Sequence, residues 1–227
     1  MRRAMHKTLF AESVAVRVPE GRIDADLRVP ENAAGLVMFA HGSGSSRFSS
    51  RNRTVAEFLE ERGFATLLLD LLTREEEAVD VYTRQFRFDI DLLGRRVASA
   101  TNWMQHRNDI SSLPLGYFGA STGAAAALIG AAEHPDVARA VVSRGGRPDL
   151  ASAALRLVKA PTLLIVGGDD EPVIEMNQDA ARQMTAAHVD LKVELKIVPG
   201  ATHLFEEPGA LEQVMKLAAD WFTTYLR

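Results

Sequence analysis

A chain of 227 residues, 47 % hydrophobic and 25 % charged, has the apolar surface for one globular domain, which excludes disorder and fibre. Its net charge of −4 leaves no basic excess to neutralise phosphates, so nucleic acid is not an expected partner. With no cysteine, disulfides, thiolate zinc sites and a cysteine nucleophile are excluded.

The opening MRRAMHKTLFAESVAV is basic at its start and lacks an apolar core of signal-peptide length. The longest apolar runs, such as 124–132, are too short to span a bilayer, so no membrane contact and a cytoplasmic location are expected. Two strands are expected at 12–18 and 22–29, joined by Pro19-Glu20-Gly21. The second alternates Ile23, Ala25, Leu27 and Val29, as a half-buried antiparallel strand does. The continuous apolar run 35–40 suits a central strand buried on both faces. Val55, Phe58 and Leu59 recur at helical spacing in 51–62, and Gly63 stops that helix.

A buried strand is expected at 64–70, and the charged stretch from Thr73 reads as a solvated helix turn or loop. A long helix is then expected over 89–107. Strands follow at 113–118, 138–142, 161–166 and 192–198, with helices at 122–134, 148–157, 172–188 and 206–226. Such alternation predicts one α/β domain over 1–227, a doubly wound, mostly parallel sheet of about eight strands behind an antiparallel N-terminal hairpin.

One segment carries chemistry. A strand runs into Gly119-Ala120-Ser121-Thr122-Gly123, and an alanine-rich helix follows. G-x-S-x-G in that setting is a nucleophile elbow, in which the glycines let strand and helix pass closely and the serine projects from a strained turn. The plainer alternative is a tight turn with Ser121 capping the helix. A serine hydroxyl needs a base to take its proton and a third group to orient that base, here expected in the order serine, acid, histidine.

The strand ending at Val166 runs into Gly167-Gly168-Asp169-Asp170-Glu171-Pro172, so Asp170 or Asp169 is the candidate acid, Asp170 preferred. After the last strand, Pro199-Gly-Ala-Thr-His203 places a histidine in a turn just before the terminal helix. His6 is terminal, and His106, His134 and His188 sit at helix ends, so His203 is the candidate base.

The glycine-rich loop His41-Gly42-Ser43-Gly44 follows a buried strand and suits an oxyanion hole. Its expected donors are the backbone N–H groups of Ser43, with Gly42 next in line, and of Thr122, while His41 props the loop. Arg144 and Arg147, in a further loop, are candidates to clamp a substrate carboxylate. Trp103, Phe86, Phe88, Trp221 and Phe222 are expected in the core.

Phe39-Ala-His-Gly-Ser-Gly-Ser-Ser46, Gly119–Gly123, Val166-Gly-Gly-Asp-Asp-Glu-Pro-Val173 and Pro199-Gly-Ala-Thr-His-Leu-Phe205 together resemble small α/β-hydrolases of the dienelactone hydrolase group, across roughly residues 12–226. The resemblance implies an α/β-hydrolase fold with a minimal cap, and its Gly-Gly-x-Asp pattern falls on Asp170. Dienelactone hydrolases proper carry a cysteine where this chain has Ser121, which moves the expectation towards a general serine esterase. Only about sixteen residues separate Leu72 from Asp89, too few for a folded lid. The expected activity is therefore cleavage of small or medium carboxylic esters or thioesters, by a monomer or homodimer acting on a small-molecule ester. No metal-ligand spacing is present and the mechanism needs no cofactor. An idle member of the fold serving as a binding or scaffold module, or an amidase or acyltransferase, remain alternatives.

Overall fold

In a computed structural model, residues 8–227 are described; His6 and the basic opening lie outside them. Strands β1 (Thr8–Val18) and β2 (Gly21–Pro30) form an antiparallel hairpin, and β2 pairs antiparallel with β4 (Ala65–Leu69). From β4 the sheet continues in parallel through β3 (Leu36–Ala40), β5 (Leu115–Ala120), β6 (Ala138–Arg144), β7 (Thr162–Gly167) and β8 (Val193–Val198). The order is β1-β2-β4-β3-β5-β6-β7-β8, the expected eight-stranded, doubly wound sheet.

Period-two alternation explains the layers. Leu36, Met38, Leu115 and Tyr117 point to the face covered by α3 (Ile90–Gln105), α4 (Thr122–Glu133) and α5 (Glu171–Ala187). Val37, Phe39 and Phe118 point to the face covered by α1 (Ser50–Glu60) and α6 (Ala210–Tyr225). With helices on both faces, β3 and β5 are buried at every position, so they read as unbroken apolar runs. The edge strand β8 is instead half exposed and laced by Lys192–Glu194 and Lys196–Glu194 ion pairs, charges that discourage edge pairing.

Three segments differ from expectation. The stretch after Thr73 is a ten-residue helix, α2 (Arg74–Thr83), started by a reciprocal capping box between Thr73 and Glu76. Glu76 also receives an Nη2 hydrogen bond (2.6 Å) from Arg96 of α3, a buried arginine that ties the helix down. Pro148–Leu157 is not an α-helix but two 3-10 turns broken at Ser152, whose φ is 50°. The terminal helix begins at Ala210 rather than 206, because Gly209 turns the chain with φ 80° and Glu207 is bonded back to the Thr202 hydroxyl (2.6 Å). Phe88 is exposed rather than in the core, while Trp221 and Phe222 are buried and Trp103 and Phe86 pack partly buried against the core.

The strand order fixes where a site belongs. After β3 the chain steps to β4 on one side and later to β5 on the other, so helices leave in opposite directions above the carboxyl ends of β3 and β5. Such a switch point opens a crevice in doubly wound sheets.

Candidate active site

Ser121 stands in that crevice, between the last residue of β5 and the first of α4. Its backbone adopts φ 52°, ψ −123°, a costly conformation for a residue with a side chain. Both of its peptide groups are held: its N–H donates to the Arg144 carbonyl (3.2 Å), and its carbonyl accepts from Ala124 (3.1 Å) and Arg147 (3.1 Å). Close packing makes the flanking glycines obligatory. A Cβ on Gly119 would lie 2.4 Å from Ala124 Cα, and one on Gly123 would lie 2.3 Å from the carbonyl oxygens of both Ala40 and His41. The Ser121 side chain does not cap α4.

The hydroxyl points instead to His203, whose Nε2 is 3.2 Å from Ser121 Oγ. The other ring nitrogen, Nδ1, lies 2.7 Å from Asp170 Oδ2. Asp170 holds the N-cap position of α5 yet makes no side-chain capping bond, while its neighbour Asp169 is exposed. His203 hangs from the turn after β8, 38 % exposed, with Ala201 N–H bonded to the Val198 carbonyl (3.2 Å) and Phe205 N–H to that of Thr202 (3.2 Å). The three residues expected to act together are brought into one line.

The glycine-rich loop lies alongside. His41 is buried; its Nδ1 donates to the Gly42 carbonyl (2.8 Å), while its Nε2 accepts the Leu71 N–H (3.2 Å). That pattern requires the neutral ring, and burial does push its pKa down, against the opposing influence of the Gly42 bond and the Asp70 charge. Because His41 fixes the Gly42–Ser43 peptide, the Ser43 N–H is aimed inwards. It donates to the Thr122 hydroxyl (2.8 Å), so one of the two expected oxyanion donors is engaged by a side chain. The Thr122 N–H is at the first position of α4, where the helix makes no intrahelical partner for it.

The two arginines separate. Arg147 forks onto Asp149, with Nε–Oδ1 of 2.9 Å and Nη2–Oδ2 of 2.8 Å, and does not line the cavity at Ser121. Arg144 ends β6, which runs two residues further than expected, and its side chain is buried beside the elbow. It lines a cavity of about 250 Å³ together with Ser43, Ser121, His203, Leu204 and Arg51. Arg51 had no sequence signal of its own; it lies in the first turn of α1 and reaches across to Glu206 (2.8 Å). Among the described residues, no cluster of three or more histidines and acids is placed to hold a metal ion.

Residues 23–226 match the model of the dienelactone hydrolase family. The chain belongs to the dienelactone hydrolase family. A dienelactone hydrolase of Anabaena variabilis superposes with a TM-score of 0.93 at 56 % identity, over 98 % of this chain and 100 % of that one. Est1E of Butyrivibrio proteoclasticus, 15 % identical with a TM-score of 0.76 over 93 % of this chain and 98 % of that one, shares the fold. Curated relatives of Mycobacterium tuberculosis named "putative phosphoribosyl transferase" are 57 % identical over 215 residues, 95 % of this chain and 46 % of theirs. The chain thus spans about half the length of the curated relatives it matches.

Proposed function

We propose that this chain is a serine hydrolase that cleaves small or medium carboxylic esters, thioesters included, through an acyl-enzyme on Ser121. The observation that carries the reading is the line Ser121 Oγ to His203 Nε2 (3.2 Å) and His203 Nδ1 to Asp170 Oδ2 (2.7 Å). A hydroxyl at a strained elbow, a base within hydrogen-bond reach and an acid orienting that base form a proton relay.

The geometry supports the following steps. Ser121 Oγ attacks the acyl carbon while its proton passes to His203 Nε2. The C–O bond to the leaving alcohol breaks, and the imidazolium returns the proton to that oxygen. Water then attacks the acyl carbon and gives a proton to His203, which hands it back to Ser121 Oγ as the carboxylic acid departs. Asp170 holds the ring so that Nε2 faces Ser121, and its charge stabilises the imidazolium. The oxyanion is met by the Thr122 N–H at the positive end of α4 and by the Ser43 N–H, which exchanges the Thr122 hydroxyl for the substrate oxygen.

The dienelactone hydrolase family match, over residues 23–226, and the similar dienelactone hydrolase of Anabaena variabilis support hydrolysis. The transferase name belongs to chains of which this one matches 46 %. No helix among the described residues is long and apolar enough to cross a membrane. Turnover of a panel of 4-nitrophenyl esters of rising acyl length tests the reading: cleavage of the short members is expected, and no cleavage of any member speaks against it.

A further inference from the structure

We propose that Asn177 is a positioning residue for the proton relay. From the interior of α5 it clamps the backbone strap of residues 144–147, and the strap holds His203 and the elbow in one geometry. The proposal rests on the serine hydrolase reading, and one arm of its test is independent of turnover.

The strap meets two members of the relay. The Arg144 carbonyl accepts the Ser121 N–H (3.2 Å), and the Arg147 N–H donates to the Ser121 carbonyl (3.1 Å). Between them Gly145, with φ 50°, passes close behind the histidine: a Cβ there would lie 3.0 Å from the His203 carbonyl oxygen and 3.6 Å from its Nδ1. A Cβ on Gly146 would overlap Ser143 Oγ and lie 2.6 Å from Ala124 Cβ, so the strap is wedged against β6 and the first turn of α4. Two glycines in succession permit these approaches but leave the backbone little rigidity of its own. Another group must fix it.

That group is Asn177. Its side chain is fully buried, and Nδ2 donates both to the Gly146 carbonyl (3.0 Å) and to the Val173 carbonyl of its own helix (2.7 Å). Two carbonyl acceptors demand the amino end of the amide, so its orientation is settled. One proton goes to the strap and one to α5, which joins them. Asp170 is the N-cap of the same helix, seven residues or about two turns earlier, and so lies on the same face. Helix α5 thus acts on His203 twice, directly at Nδ1 through Asp170 (2.7 Å) and behind the ring through Asn177 and the strap.

Fold stability alone does not account for an asparagine here. Its Oδ1 is buried without a hydrogen-bond partner among the described residues, which is unfavourable. Asparagine in a helix interior is also less favourable than leucine, which has nearly the same shape and would remove both costs. The bond to the strap is what leucine would lack.

The test is Asn177→Leu, with Asn177→Ala as a second variant that lacks the amide. In Asn177→Leu, kcat on a short 4-nitrophenyl ester should fall about 10- to 100-fold, the range expected when a catalytic group is misplaced. KM should stay within about twofold, because only the transition state needs the aligned relay. The Tm should stay within about 4 °C of wild type, since loss of the Gly146 bond is offset by removal of the unpartnered Oδ1. A lowered Tm with unchanged kcat per folded molecule would make Asn177 merely structural and overturn the proposal.

The second arm is proton NMR. The His203 Nδ1–H shared with Asp170 should give a low-field resonance in wild type that broadens in both variants. In wild type the two Nδ2 protons of Asn177 should give separate, slowly exchanging signals; rapid exchange overturns the clamp whether or not either variant folds. If no ester is cleaved but the Nδ1–H resonance still depends on Asn177, the positioning role stands and the hydrolase reading falls. If esters are cleaved and both kcat and the resonance are alike in wild type and variants, the hydrolase reading stands and the positioning role falls.

Discussion

Asp170 occupies the N-cap of α5 but gives its carboxylate to His203: Oδ2 is 2.7 Å from Nδ1, and no side-chain capping bond to the first turn is made. A cap aspartate ordinarily accepts a backbone N–H of that turn, a bond whose loss costs about 1 kcal/mol. Here the carboxylate faces the imidazole instead of that turn, and Pro172 lessens the loss because it has no N–H to leave open.

The two adjacent aspartates should therefore respond differently. Asp170→Asn is expected to lower kcat on a short ester by orders of magnitude; in a Ser–His–Asp relay the same change costs on the order of 10⁴-fold. Asp169→Asn, at an exposed position, should change kcat less than about threefold, the small effect typical of surface sites. Steady-state kinetics of the two purified variants decide, and the reverse ranking would transfer the role to Asp169.

Gly123→Ala tests the elbow as a packing device. The new methyl would sit 2.3 Å from two carbonyl oxygens of the β3 end, so either the strand or α4 must move. Overpacking of this kind costs about 3 kcal/mol, which lowers Tm by roughly 6–12 °C in a chain of this size. Calorimetry reads the shift directly. An unchanged Tm would show that the close approach above Ser121 carries no stability.

His41 makes stability depend on pH. Its folded pKa is depressed, so below its ordinary value near 6.5 the unfolded chain binds a proton that the folded one refuses. Its contribution is thus complete above about pH 6.5 and is lost as pH falls. Denaturant unfolding of wild type should show stability declining between pH 7 and pH 5, by at most about 1.4 kcal/mol per pH unit from this group. His41→Gln should show a shallower decline. Equal slopes in the two proteins would remove His41 from the acid limb.

The sheet was legible because burial on two faces leaves unbroken apolar runs such as 36–40, and burial on one face leaves the Ile23, Ala25, Leu27, Val29 alternation. The elbow was legible because two glycines at fixed spacing are a local demand of the crossing between β5 and α4. Where the determinant is distant in sequence, the local pattern does not reveal it. Helix α2 is capped locally by Thr73 and Glu76, a signal in plain view, but it is anchored by Arg96 from another helix. The kink at Ser152 has no glycine to announce it. Nothing near Ser43 foretells that its N–H meets a hydroxyl 79 residues away. Arg144 and Arg147 look alike in sequence; an Asp149 two residues on pairs one, while the other closes a strand beneath the site.

The most direct measurement is fluorophosphonate labelling of the purified protein with mass-spectrometric mapping of the modified residue, run beside ester turnover in wild type and Ser121→Ala. One modified site is expected, at Ser121, with loss of both labelling and turnover in the variant and its fold retained by circular dichroism. Labelling that persists in Ser121→Ala, or maps to another serine, contradicts the Ser121 assignment.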